Sequence, residues 1–151
     1  MEALKGLLFI NDIDAYVAYG AFLSADRRGE FRNLSALLTP PTMKPYVAVA
    51  FREEDGEQLP QQLPTPAFEA RDIDLRFAIV ADSAAEFMQR YADFVAMLRS
   101  GWLELRVADV PGKIRVYYKS STEFSQLTPI GGGAVAGKFN VKFREPNPAS
   151  R

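Results

Sequence analysis

The spacing of apolar residues along the chain changes from two to about 3.6 and back to two. From Arg71 to Asp82, Ile73, Leu75, Phe77 and Ile79 alternate with Asp72, Asp74, Arg76 and Ala78, the pattern of a strand with one buried face. Between Ser83 and Gly101 the apolar positions become Phe87, Tyr91, Phe94, Val95 and Leu98, the stripe of an amphipathic helix. Ser83 followed by Glu86 fits a capping box, and Gly101 supplies the stop. Alternation returns in Leu103, Leu105 and Val107, and again in Phe139, Val141 and Phe143, with Lys138, Asn140, Lys142 and Arg144 facing away. Pro111-Gly112 predicts a hairpin between the strand at 103–107 and one at 114–118.

Elsewhere the signals are local. Leu7 to Ile10 reads as a first strand and Asn11-Asp12 as a turn. Over Ala15 to Leu23, Tyr16, Val17, Tyr19, Gly20 and Phe22 disfavour a helix on propensity, so this stretch is expected to form an N-terminal hairpin or strand pair with Leu7 to Ile10. Ser24 to Asn33 reads as a polar loop with a charged tip at Arg27, Arg28 and Glu30. After Pro40, Pro41 and Pro45, residues Tyr46 to Phe51 read as a strand. Asp55-Gly56 then turns into an extended, proline-rich connection from Leu59 to Ala67. Ser120 to Thr122 reads as a polar loop, Glu123 to Gly133 as a long loop, and Pro146 and Pro148 end the last strand.

The expected fold is α+β: a mostly antiparallel β-sandwich or split barrel with one amphipathic helix, about 83–100, packed on the sheet. A length of 151 residues predicts a single domain over 1–146, with a frayed tail at 147–151. Ile73, Leu75, Phe77, Phe87, Tyr91, Phe94, Leu98, Leu105, Val141 and Phe143 form its predicted core.

Composition narrows the chemistry. With no cysteine and no histidine, the chain lacks disulfides, thiol nucleophiles, imidazole bases and the usual zinc ligands. Eighteen basic residues against nineteen acidic ones, without any block of like charge, give no support for a nucleic-acid-binding face. No apolar run approaches the roughly 20 residues of a spanning helix, and the first residues show no secretory signal, so synthesis and folding in the cytoplasm are expected, with no membrane partner.

Each chemical candidate has a plainer reading. Gly131 to Gly133 is followed by a strand, not by the helix start of a phosphate cradle, and reads as a hairpin loop. Glu53-Glu54-Asp55 sits on a turn and Asp72/Asp74 on an exposed strand face, so both are read as solvated charge rather than as a calcium site or an acid–base couple. Trp102, with Phe87, Tyr91 and Phe94, is read as packing at the helix–sheet joint. Of Tyr117 and Tyr118, one ring must face the core and the other solvent or a subunit contact. No catalytic, cofactor-binding or metal-ligating residue is assigned.

The order of segments resembles the distal tail protein family of long-tailed bacteriophages and the related tail-tube proteins. The resemblance is carried by Phe9-Ile10-Asn11-Asp12-Ile13-Asp14 with Tyr19-Gly20, by Arg71 to Phe77, and by the helix Phe87 to Leu98. Ser100-Gly101 before Leu103-Glu104-Leu105, Lys113 to Lys119, and Phe139 to Pro146 complete it. It implies a structural protein in a ring, commonly a hexamer, near the junction of tail tube and baseplate. Tail-tube, tape-measure or baseplate proteins would be its neighbours and the virion tail its destination. The resemblance transfers no catalytic residues. Some members add a C-terminal domain with a carbohydrate-binding look; the part resembled here is the ring-forming domain.

Ring contacts are expected in long irregular segments, which gives Arg27, Arg28 and Glu30, then Leu59 and Pro60, then Glu123 and Phe124 as candidates. The alternative from another class is a small sandwich that binds a sugar or lipid through Trp102, Tyr117 and Tyr118, for which a concave pocket lined by those rings is the discriminating feature. A carboxylate-dependent hydrolase ranks last, because the acidic pairs fall on turns and exposed faces.

Overall fold

The computed structural model describes residues 6–24, 32–108, 110, 112–126 and 134–148. Its elements are β1 (Leu8–Ile10), β2 (Ile13–Asp14), α1 (Ala15–Tyr19), β3 (Ala21–Leu23), α2 (Arg32–Leu38), β4 (Arg71–Ala81), α3 (Ala84–Leu98), β5 (Trp102–Val107), β6 (Ile114–Gln126) and β7 (Val135–Glu145). The strands form one antiparallel sheet of seven in the order β2-β1-β5-β6-β7-β4-β3.

The class is the expected one: α+β, dominated by antiparallel strands. The sheet is not closed by hydrogen bonds into a barrel, yet β2 and β3, its two edges, are joined by α1 alone. Five helical residues span roughly 8 Å at 1.5 Å each, so the sheet must curl until its edges nearly meet.

The period-two strands explain the core. Ile73, Leu75, Phe77 and Ile79 of β4 lie opposite Phe143, Val141, Phe139 and Gly137 of β7, and all the apolar side chains among them are buried. Ala78, expected on the outward face, is buried too, opposite Phe22 of β3. Helix α3 begins as read: Ser83 Oγ accepts from the Glu86 amide at 3.2 Å, while the Glu86 carboxylate reaches back to the Asp82 amide at 3.3 Å. Its Phe87, Phe94 and Leu98 are buried. Phe94 packs edge-on or tilted against Tyr19, Phe77 and Phe139, with centroids 5.6, 5.4 and 5.9 Å away. All ten predicted core residues are in this cluster, Tyr91 as a half-buried member.

Several local expectations are corrected. The region 15–23 is a helix followed by a strand that pairs with β4, not the hairpin partner of Leu7 to Ile10, a place taken by the two residues of β2. Asp14 Oδ1 accepts from the amides of Tyr16 and Val17, and Gly20, at φ 66°, closes α1 in the left-handed conformation. Two end caps thus outweigh poor propensity over a single turn. Asn33 belongs to a second short helix, α2, rather than to a loop.

Tyr46 to Phe51 is not a strand. Only isolated bridges, Met43–Phe68 and Val49–Gln58, join the two legs of the 39–70 segment, because Pro60, Pro64 and Pro66 on the returning leg cannot donate to a ladder. Ser120 to Gln126, expected as loop, continues β6 along β7 through two register shifts, so the long loop does not begin at Glu123. Residues 127–133, with their glycine run, lie outside the described residues.

Candidate interaction surface

Two asparagines extend the sheet where β3 and β1 run out. On one side β3 ends beside Phe77, and the carboxamide of Asn33 takes the next place on β4. Its Oδ1 accepts from the Arg76 amide at 2.7 Å, and its Nδ2 donates to the carbonyls of Arg76 and Ser24 at 3.1 and 2.8 Å. On the other side the Asn11 amide donates to the Glu104 carbonyl and Asn11 Oδ1 accepts from the Glu104 amide, both at 2.9 Å. These contacts occupy backbone groups that would otherwise pair with another chain. Further along β4, Arg71 hydrogen-bonds the carbonyls of Leu37 and Thr39 at the end of α2, and Glu145 on the neighbouring strand.

The segment joining α2 to β4, residues 39–70, is an arm. Its base is pinned by Lys44 N to Ala67 O and Glu69 N to Thr42 O, at 2.8 and 2.7 Å, and its tip by reciprocal bonds between Val49 and Gln58 at 3.0 and 2.6 Å. Met43, Val47, Val49, Phe51, Leu59 and Leu63 are all exposed, Val47 to 90%. Such a concentration of large apolar side chains in water makes the arm the candidate interaction surface. The candidate contacts Leu59 and Pro60 lie on it and are exposed. The tip carries Glu53, Glu54, Asp55 and Glu57 around one arginine, Arg52, with Gln58 Nε2 donating to Glu54 at 2.7 Å. These acids are exposed, as read from sequence.

The outer face of the sheet is mostly ionic. Asp72 accepts from Arg144 Nη1 at 3.0 Å and from Lys119 Nζ at 3.3 Å, and these partners hold its carboxyl below the ordinary value. Lys113 lies 3.2 Å from Asp12 and 3.6 Å from Glu104, which raises its pKa, led by the hydrogen bond to Asp12. Trp102 is a correction: half of it is exposed, because its strand position points outward beside Tyr117, with which it packs edge-on at 6.0 Å, under the Arg115 guanidinium at 4.2 Å. Tyr118 is the inward ring of its pair, as expected of adjacent strand residues.

A cavity of about 170 Å³ opens on this face, lined by Arg76, Glu123, Ser125, Lys138, Phe139 and Asn140. It is polar and lies away from Trp102 and Tyr117, so the aromatic pair does not line it.

The two remaining candidates sit at the second irregularity of β6 and separate there. Glu123, at φ 59°, turns to the outer face, where Asn140 Nδ2 donates to Oε2 at 2.6 Å and Arg76 lies at 3.6 Å. Phe124 turns the other way, onto Phe87 and Tyr91 at 6.2 and 5.4 Å, with about half its surface exposed. The structure does not gather Leu59, Pro60, Glu123 and Phe124 into one patch within a described contact. Arg27, Arg28 and Glu30 lie outside the described residues.

No family model matches the chain, and no curated protein matches it. Among solved structures, it is similar to the Dit protein of phage SPP1, described as a paradigm of the hub adsorption apparatus in phages infecting Gram-positive hosts. The likeness covers 93% of this chain and 50% of that one, at a TM-score of 0.53 and 14% identity. The two share a fold. This chain spans half the length of the Dit chain it matches.

Proposed function

We propose that this chain is a structural component of a phage or prophage tail, assembling as a ring near the junction of tail tube and baseplate. The observation that carries the reading is the fold likeness to SPP1 Dit over nearly the whole chain. The arm supports it, since exposed valine, phenylalanine and leucine side chains on a pinned extension gain most by burial against a neighbour. Its partners are further copies of itself, six by the resemblance, and adjoining tail-tube, tape-measure or baseplate proteins.

The role is one of assembly and not of catalysis: the chain has no histidine or cysteine, and its acidic clusters are exposed on the arm tip or tied to Arg144 and Lys119. Cross-linking and electron microscopy of assembled tails test the reading. Cyclic particles containing the protein are expected; its absence from particles, or its presence only as an isologous two-fold dimer, sinks the proposal.

A further inference from the structure

We infer that the edge of β6 beyond Tyr117 is completed by a strand from a second copy of this chain, the outgoing leg of its arm from Tyr46 to Phe51. This contact rests on the ring reading above and is one joint within the ring.

Strand β6 is longer than the strand beside it. β5 begins at Trp102, opposite Tyr117, because the chain before it is α3 and its closing turn. From Lys119 onward β6 therefore has β7 on one side and, among the described residues, no strand and no backbone hydrogen bond on the other. Where β1 and β3 run out, Asn11 and Asn33 fill the next place; among the described residues no side chain does so here. Lys119, Ser120 and Thr122 to Ser125 are exposed, and open amides and carbonyls along an exposed strand are a template for a further strand. The register shifts at Tyr118/Ser120 and Thr122/Ser125 bend this stretch, so the edge suits a short strand and not a long one. Phe124, half exposed at its far end, gives that strand an aromatic ring to pack against.

The arm carries a short strand that has no sheet. Between Pro45 and the turn in which the Glu54 amide donates to the Phe51 carbonyl, Val47, Val49 and Phe51 recur with period two and are exposed to 90, 51 and 48%. Alternating β-branched and aromatic residues favour a strand, yet the leg pairs with its own chain only through the Val49–Gln58 bridge. The amide and carbonyl of Val49 both turn to Gln58, so those of Ala48 and Ala50 point the other way, and among the described residues no hydrogen bond reaches them. β6 is an edge lacking a strand and this leg is a strand lacking an edge. In its own chain the leg stands in solvent, which leaves the β6 edge to the leg of a second copy. Such a contact joins different surfaces of neighbouring subunits, head to tail, the kind that closes rings.

Amide hydrogen exchange of the full-length chain, read over Lys119 to Ser125 as protein concentration is raised, tests the assignment. Exchange at the outward amides is expected to slow by about tenfold as copies associate. Ala48→Pro with Ala50→Pro removes the two free amides and keeps the residues of the Val49–Gln58 bridge; it should abolish both that slowing and the self-association seen in sedimentation. Ala48→Ser with Ala50→Ser keeps the amides and should associate as the unaltered chain does. Exchange that does not change with concentration overturns the inference, whether the edge is bare or covered by the chain's own arm. Association that survives the proline pair, or that is lost equally with the serine pair, overturns backbone pairing as its basis. In assembled tails, rings that form unchanged with the proline pair overturn the contact and leave the ring reading standing. Concentration-dependent protection of β6 in a closed two-fold dimer sinks only the ring reading.

Discussion

Arg71 Nε donates to Glu145 Oε1 at 2.6 Å, across the β4–β7 ladder in which the two residues face each other. The Glu145 side chain is fully buried and that of Arg71 is 10% exposed. The same guanidinium reaches the Leu37 carbonyl at 3.2 Å and the Thr39 carbonyl, so one ion pair fastens the end of α2 to the start of the sheet. The position is telling, because Arg71 is the residue at which the arm rejoins the sheet.

Removing one member of a buried pair strands the other charge, which costs about 3–5 kcal/mol. Glu145→Ala should therefore lower the unfolding free energy by roughly that amount in urea. Adding Arg71→Met removes the stranded cation and should return part of the loss. If Glu145→Ala is nearly neutral, the pair is not shielded as described.

Asn33→Ala is expected to act twice. The Arg76 backbone loses its partners, at about 1–3 kcal/mol if those groups stay dry. The uncovered strand also becomes open to pairing, so self-association should rise with concentration in sedimentation experiments. Lost stability without new association would show that α2 still shields the edge.

The legible and illegible parts of this fold separate on physical grounds. Strand β7 buries one face and β4 does so apart from Ala78, so Ile73 to Ile79 and Phe139 to Phe143 print their orientation as alternation. Helix α3 is long enough for both its stripe and its cap to register. Helix α1 has one turn, and its stability lies in Asp14 and Gly20 rather than in its own residues. The prolines that spoil pairing of Tyr46 to Phe51 sit across the arm, beyond any local window. Glu145 did leave a trace, falling on the buried parity of Phe139, Val141 and Phe143, but its partner lies 74 residues away. Asn11 and Asn33 gave none, since a side chain replacing a strand's peptide group has no period. Of the candidate contacts, exposure of Leu59 and Pro60 followed from the proline-rich stretch, whereas which of Glu123 and Phe124 faces outward depends on an irregularity of β6 that sequence does not mark.

Asp72 gives a pH prediction. Its hydrogen bond to Arg144, with help from Lys119, outweighs burial and lowers its folded pKa below 3.8. A depressed carboxyl stabilises the folded state above its unfolded pKa, and that contribution disappears as pH falls through the folded value. The pair is one-third exposed, so the effect is at most about 1 kcal/mol. Urea midpoints of Asp72→Asn should lie slightly below wild type at neutral pH and converge with it as pH falls below 3.8. Parallel curves over that acid range would contradict the assignment.

Gly137 tests how tightly α3 is seated. It lies in β7 opposite Ile79, with its Cα directed at the helix, and an added Cβ would stand 2.8 Å from Phe87 Cζ and 3.1 Å from Phe124 Cζ. Phe124 is half exposed and can move aside, whereas Phe87 is buried on α3 and stacked near Tyr91 at 6.3 Å. Gly137→Ala should therefore destabilise by about 1–3 kcal/mol, through overpacking and not through any demand on backbone angle. The added methyl would meet the Phe87 ring, so the effects should couple: Gly137→Ala combined with Phe87→Leu should cost less than the two changes summed. Additive losses in a double-mutant cycle would place the clash elsewhere, and a neutral Gly137→Ala would mean that the helix rides farther from β7 than these distances require.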